Sequence, residues 1–405
     1  MMMKSVSVAV SLLIASPGDP DLEWPQWRGP GGSGVSEAAG LPERWSASEN
    51  ILWKVDLPGR GVSGPVVANG RIYITASSGS KGDRLHVLAL QPATGKTHWE
   101  RRFRATSPAQ CHPKTCMAAP TPAAGGGRLY ALFATNDFFC LDSSGDLVWY
   151  RALSRDHPSL SNQVGMAASP ILAGDAVIVD LETQGESFAA ALDARSGANR
   201  WRIPRPPDLN WVSPLLYKRE DGLAEVILQS RFGLSAHEPA TGKLLWSHDG
   251  KLDAIPSPVA VGGSIYLSAG EVVALHASPG GAPAVRWRGG KLKASTASPL
   301  VYRGRVYALS SAGILACADA RDGSLLWQER LKGPFSASPV AADGKIYCAN
   351  EDGAIAVVRV EGEPRLLATN EMGEGILASP AVSGRAIYFR SDKHLWAVGK
   401  PAAGD

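Results

Sequence analysis

The residues with the clearest chemical potential are five cysteines and eight histidines, and their spacing decides which chemistry they could serve. Cys111 and Cys116 stand in QCHPKTC, a stretch that fits no repeating pattern in the chain. Two cysteines this close in one loop can close a small disulfide, worth ~2 kcal/mol on the loop-entropy argument, and that pairing is the expectation. A metal site recruiting His112 is the alternative, but C-x4-C lacks the second close Cys/His pair of a tetrahedral centre, so no metal is expected. The C-x-x-C-H of haem attachment is absent. His112, Lys114, His157, Asn162, Gln163 and Arg231 are candidate binding groups, although polar loop residues are more often only solvated. His86, His98, His237, His248, His276 and His394 fall at unrelated positions and form no visible constellation. Nucleophile-elbow, zinc-helix, phosphate-loop and calcium-loop motifs are missing, so no catalytic residue is assigned.

What must position these groups is a set of short strands. Glycine at 44 and proline at 29 describe many turns and almost no helix. SPLVYRGRVYALSSAGILACADARDGSLLW, from Ser298 to Trp327, holds four such runs, and the pattern recurs along the chain. Its anchor prolines are Pro65, Pro122, Pro170, Pro214, Pro258, Pro299, Pro339 and Pro380. Eight residues after each comes Tyr73, Tyr130, Ile178, Tyr266, Tyr307, Tyr347 or Tyr388, and only in the fourth unit does an insertion delay the match, to Ile227. Each unit then ends in a tryptophan run, at Trp99, Trp149, Trp201, Trp246, Trp287 and Trp327, with Leu367 in the seventh. The eighth unit stops at KHLWAVGK without its last run. NILWKVDL, residues 50–57, supplies it through Ile51, Trp53 and Val55. The expected fold is therefore all-β: an eight-bladed β-propeller of four-stranded antiparallel blades over residues 50–399, its ring closed by strand 50–57. Closure also removes an edge that would invite aggregation. Cys140, Cys317 and Cys348 take repeat positions held elsewhere by small or aliphatic residues, so they are expected in the core.

In such blades the first-to-second and third-to-fourth turns share one face, and these are tight, as at Asn69-Gly70 and Thr94-Gly95. The other face receives ASSGSKGDR, ATSPAQCHPKTCMAA, ALSRDHPSLSNQVGMAA and DLETQGES. Long loops gathered on one side of a rigid scaffold are where binding is expected.

Residues 1–18 read as an export signal, a lysine followed by a short apolar run too brief to span a bilayer. The first cysteine is Cys111, so no lipid anchor is expected. Residues 19–49 are rich in Trp, Gly and Pro, and Trp24, Trp27 and Arg28 are expected to dock this segment on the propeller, because paired tryptophans are costly to leave exposed. A formal charge of only +3 with scattered basic residues marks no nucleic-acid groove.

The SPxVxxGxIY and AxDxxTGxLxW alternation, the closing strand, WPQWRGP and MAASP at Met166 to Pro170 together resemble the PQQ-like, quinoprotein-type eight-bladed propeller repeat superfamily, over about residues 24–399. The resemblance implies the fold more strongly than any activity. Its quinoprotein dehydrogenase branch implies pyrroloquinoline quinone and calcium in the central funnel, often over an adjacent-cysteine disulfide. No Cys-Cys pair exists here, and the calcium-ligand set finds no matching motif. The BamB-like branch, which binds protein partners through surface loops without a cofactor, is the better match. The expectation is an exported, periplasmic or secreted, monomeric scaffold that takes a protein, peptide or glycan on its long-loop face, without cofactor. A quinone-dependent oxidoreductase with an atypical site is the alternative.

Overall fold

The computed structural model describes residues 23–160, 164–219, 221–276 and 281–401. The region 1–18 and the candidates Asn162 and Gln163 lie outside them. Among the described residues, 32 strands form eight four-stranded antiparallel sheets, and the one α-helix is the single turn Leu153–Asp156.

The repeat spacing has a direct structural cause. Blade 1 is built from β2 (Val66–Ala68), β3 (Arg71–Ser78), β4 (Arg84–Leu90) and β5 (Thr97–Arg104). Val66, just after the anchor proline, pairs with Tyr73 across a hairpin whose two turn residues, Asn69 and Gly70, have φ 52° and 68°. That is the primed turn whose twist matches antiparallel strands, and it places the matching residue eight positions after the proline. The same pairing recurs from Ala123 with Tyr130 to Ala381 with Tyr388. In blade 4 the turn lengthens and Leu215 meets Ile227 instead.

The ring closes as expected: β1 (Ile51–Asp56) lies antiparallel to β32 (His394–Gly399), with Trp53 opposite Ala397 and Val55 opposite Leu395. Trp53 is buried in the cluster that also holds Tyr388 and Trp396. Four of the tryptophan runs, those of Trp99, Trp149, Trp201 and Trp287, also tie their blade to the next. The indole N–H of Trp99 donates to Ser143 O of blade 2 at 2.9 Å, that of Trp149 to Ala194 O at 3.1 Å and that of Trp201 to Pro239 O at 2.8 Å. Two runs depart from this pattern: Trp246 donates to Glu225 Oε2 of its own blade at 2.9 Å, and the buried indole N–H of Trp327 makes no hydrogen bond. Cys140, Cys317 and Cys348 are fully buried in the sheets.

Candidate functional site

The first strands of the eight blades converge on the axis, and the residue before each anchor proline shapes the wall there. The Thr121 N–H donates to Ser169 Oγ at 3.0 Å, Ser169 to Ser213 at 2.9 Å, Ser213 to Ser257 at 3.0 Å and Ser257 to Ser298 at 2.9 Å. Ser298 then donates to Ser338, and Ser338 to Ser379, both at 3.0 Å. Gly64 N–H donates to Thr121 Oγ1 at 2.8 Å, but glycine offers no hydroxyl in return. A belt of side-chain hydroxyls thus links blade to blade around the axis and breaks at Gly64. Each hydroxyl satisfies a buried backbone N–H that no sheet partner reaches.

Residues 24–36 thread the axis below this belt. Trp24 exchanges two backbone hydrogen bonds with Val67 of blade 1, at 2.7 and 2.9 Å. Ala124 N–H of blade 2 donates to Pro25 O at 2.7 Å, and Ala341 N–H of blade 7 donates to Gly34 O at 2.8 Å. The free inner edges of those blades are therefore capped by the segment. Gly29, at φ 69°, makes the return possible, since a Cβ there would lie 2.5 Å from the Trp24 ring. Arg28 is fully buried and gives Nη2 to Pro299 O at 2.5 Å and to Ser33 O at 3.3 Å. Burial lowers its pKa to about 9. Residues 24–36 thus sit at the inner edges of the blades, and the continuation lies against blade 7, where Leu41 N–H donates to Asp343 Oδ2 at 3.2 Å and Trp45 N–H to Asn370 Oδ1 at 3.0 Å.

Above the segment a funnel of about 400 Å³ opens on the long-loop face, with Trp27 at its base. Ser169, Ser213, Ser338 and Ser379 face it, with Val62, Val164, Trp211, Ile255 and Leu377 as its apolar wall. His112 and Lys114 stand at its rim. The loop carrying them reaches far from blade 2: Lys114 Nζ pairs with Glu351 Oε1 of blade 7 at 2.6 Å, and Arg60 donates to Pro113 O. Lys114 therefore lines both the funnel and a neighbouring cleft of about 450 Å³ walled by Glu351, Glu374 and Arg390.

Two other sequence candidates stay outside. His157 Nδ1 lies 3.1 Å from Glu186 Oε1 and its ring packs 4.5 Å from Phe188. Arg231 is held 3.5 Å from Asp208 on blade 4. The disulfide expected between Cys111 and Cys116 is not formed in the structure, which holds both as free thiols. Cys116 belongs to the buried cluster that holds Leu85, Val87 and Phe133, and Cys111 packs against the cluster holding Leu160 and Met166. Cys111 Sγ instead lies 3.8 Å from Met117 Sδ. Burial raises both thiol pKa values, that of Cys111 to about 11. The funnel residues that sequence reasoning missed are Trp211, Ile255 and the hydroxyl belt. The serines were legible only as part of the Ser-Pro repeat motif.

The wall does not fit calcium-bound pyrroloquinoline quinone. Among the described residues the funnel lining has no carboxylate to hold calcium, and no cluster of three His, Cys, Asp or Glu could hold a metal. Its one lysine is already paired with Glu351.

Comparison with known proteins agrees with this architecture. A family model described as "Outer membrane protein assembly factor BamB" matches residues 44–213, 230–334 and 286–400. The chain is 22% identical over 316 residues to tetrathionate hydrolase of Acidithiobacillus ferrooxidans, a match covering 74% of this chain and 51% of that protein, so it spans about half of this curated relative. Among solved structures, BamB from Moraxella catarrhalis superposes with a TM-score of 0.65 at 15% identity, over 88% of this chain and 98% of that one. A europium-containing methanol dehydrogenase superposes with a TM-score of 0.69 at 13% identity, over 92% and 89%. At such identities these structures share the fold alone. With the family model spanning well over half its length, the chain belongs to the family of the outer membrane protein assembly factor BamB.

Proposed function

We propose that this chain is an exported, BamB-like binding propeller that takes a protein, peptide or glycan partner on its long-loop face and uses no cofactor. The observation that supports this reading is the funnel: apolar walls, a belt of hydroxyls and a tryptophan base, rimmed by His112 and Lys114 on a loop that spans several blades. A concave apolar site with a few fixed polar groups suits an inserted side chain or sugar ring. Ile255 of the funnel wall is itself well exposed, as is Phe232 in the turn after β15 (Ala224–Ser230). Among the described residues no helix is long and apolar enough to cross a membrane.

The test is a pull-down from the native compartment, comparing the unmodified chain with Trp27→Ala and with a variant whose 106–117 loop is shortened. Partners retained by the former and lost by both variants support the reading. In parallel the protein is mixed with pyrroloquinoline quinone and Ca²⁺, scanned for a bound-quinone spectrum and assayed for dye-linked alcohol oxidation. Stoichiometric quinone with turnover overturns it in favour of a quinone-dependent oxidoreductase.

A further inference from the structure

On the flank of blade 1, away from the funnel, three side chains stand in line across three strands. Ser78 Oγ lies 2.7 Å from His86 Nε2, and His86 Nδ1 lies 2.7 Å from Glu100 Oε1. Ser78 ends β3, His86 lies on β4 and Glu100 on β5, and the strand register brings them together on one face of the sheet. His86, which sequence reasoning left without a constellation, is therefore its centre. The carboxylate on Nδ1 keeps the proton on that nitrogen, so Nε2 is left to accept from the serine hydroxyl. Glu100 is itself fixed by Arg102, whose Nε and Nη2 reach its two oxygens at 3.0 and 2.8 Å. That arginine is the largest influence holding the Glu100 carboxyl below its ordinary range.

Access differs along the line. His86 is only 5% exposed, which shields the base from water, whereas Ser78 is half-buried and faces the turn after β3. The linker between β1 and blade 1 runs along the end of β3, where Arg60 and Ser77 exchange two backbone hydrogen bonds at 2.9 and 2.8 Å. A Cβ at Gly59 would lie 2.2 Å from Ser77 O and 3.0 Å from Ser78 Cβ, so the linker can approach the end of β3 this closely only at a glycine. Around it the register sets Arg84 opposite Ser78; of the neighbouring guanidiniums, Arg104 is paired with Asp83 at 3.0 Å and Arg102 with Glu100, which leaves Arg84 as the cation beside the hydroxyl. An uncompensated guanidinium beside the hydroxyl draws anionic ligands.

We infer that Ser78, His86 and Glu100 form an acyl-transfer site for carboxylic esters that carry a negative charge. Ser78 Oγ bonds to the ester carbonyl carbon while its proton passes to His86 Nε2. The carbon–oxygen bond to the leaving alcohol then breaks, and the alcohol takes that proton from His86. Water, deprotonated by the same nitrogen, releases the acid and restores the serine. Ser78 and His86 are the catalytic residues, and Glu100 and Arg102 are positioning residues.

The experiment uses the full chain with a fluorophosphonate probe and, separately, the p-nitrophenyl monoester of succinic acid against p-nitrophenyl acetate. One covalent adduct per chain, mapped to Ser78 and absent in Ser78→Ala, is expected, with the succinyl ester acylating faster than the acetate. His86→Ala is expected to slow labelling on the order of 10²-fold, the usual worth of a positioned general base. Glu100→Gln is expected to slow it at an unchanged melting temperature, which a merely structural role would not do. No adduct at Ser78 of the unmutated protein overturns the inference, whatever the variants do. Labelling of folded His86→Ala at the unmutated rate also overturns it, since that marks only an accessible hydroxyl.

Discussion

Trp53 donates its indole N–H to the Pro92 carbonyl at 2.8 Å, which ties the closing strand of blade 8 to the outer turn of blade 1. The ring is thus locked twice at the same residue, by backbone pairing with β32 and by a side-chain bond to the following blade. Trp53→Ala loses the buried ring and the hydrogen bond together, and should cost ~3–5 kcal/mol of stability, the usual range for an aromatic truncated in a core. Equilibrium denaturation measures this. The variant should also associate more readily, because a loosened β1 exposes the edge of β32. A melt equal to that of the unmodified protein would show that closure does not depend on this strand.

The lock explains a glycine. Gly95, in the outer turn of blade 1, has φ 69°, and a Cβ there would lie 2.6 Å from the Trp53 ring. Gly126 has a similar φ of 59° but faces open space. Gly95→Ala should therefore destabilise by more than Gly126→Ala, which pays only the ~1–2 kcal/mol of a left-handed non-glycine residue. Equal losses on chemical denaturation would mean that the tryptophan ring yields without cost.

Blade 3 carries a pH-dependent element. Asp180 and Glu182 are buried side by side, and both face the guanidinium of Arg205, at 3.6 and 2.6 Å. Burial, reinforced for Glu182 by the charge of Asp180, raises both carboxyl pKa values beyond what one arginine can offset. The folded chain then keeps a proton that the unfolded chain releases near pH ~4, the ordinary carboxylate value. The resulting stability is fully present below that value and is lost as pH rises through the raised folded titration. Glu182→Gln should flatten this decline and raise the melting temperature near neutrality. Parallel pH profiles for the variant and the parent would refute it.

How far the sequence revealed this molecule follows from the range of its signals. The proline-to-tyrosine spacing is a local consequence of one primed hairpin, so eight blades could be counted from it. The missing tryptophan run of the last unit pointed to Trp53 for the same reason. The path of Trp24 to Gly34 was not legible, because those residues bond to blades 1, 2 and 7 through backbone atoms that leave no mark on side-chain identity. Ser78, His86 and Glu100 escaped notice because they are spaced 8 and 14 residues apart on separate strands, and register rather than any contiguous motif aligns them. His112 and Lys114 were found as members of a long loop, but their reach to blade 7 comes from the ion pair with Glu351.

The thiols of the rim loop give a last prediction. The turn between Cys111 and Cys116 is held by Thr115, whose N–H and hydroxyl both donate to His112 O, at 2.8 and 3.1 Å. The two thiols belong to different apolar clusters, and both are free in this structure. With both pKa values raised by burial, the reactive thiolate is scarce near neutrality. Folded protein prepared without reductant should therefore react slowly with a thiol reagent at Cys111 and Cys116, and all five cysteines should titrate once it is denatured. A titre of three, with peptide mapping that joins Cys111 to Cys116, would show that the loop repacks and oxidises. Because the loop also carries His112 and Lys114, that oxidised form should then change partner retention in the pull-down, since the funnel rim would have moved.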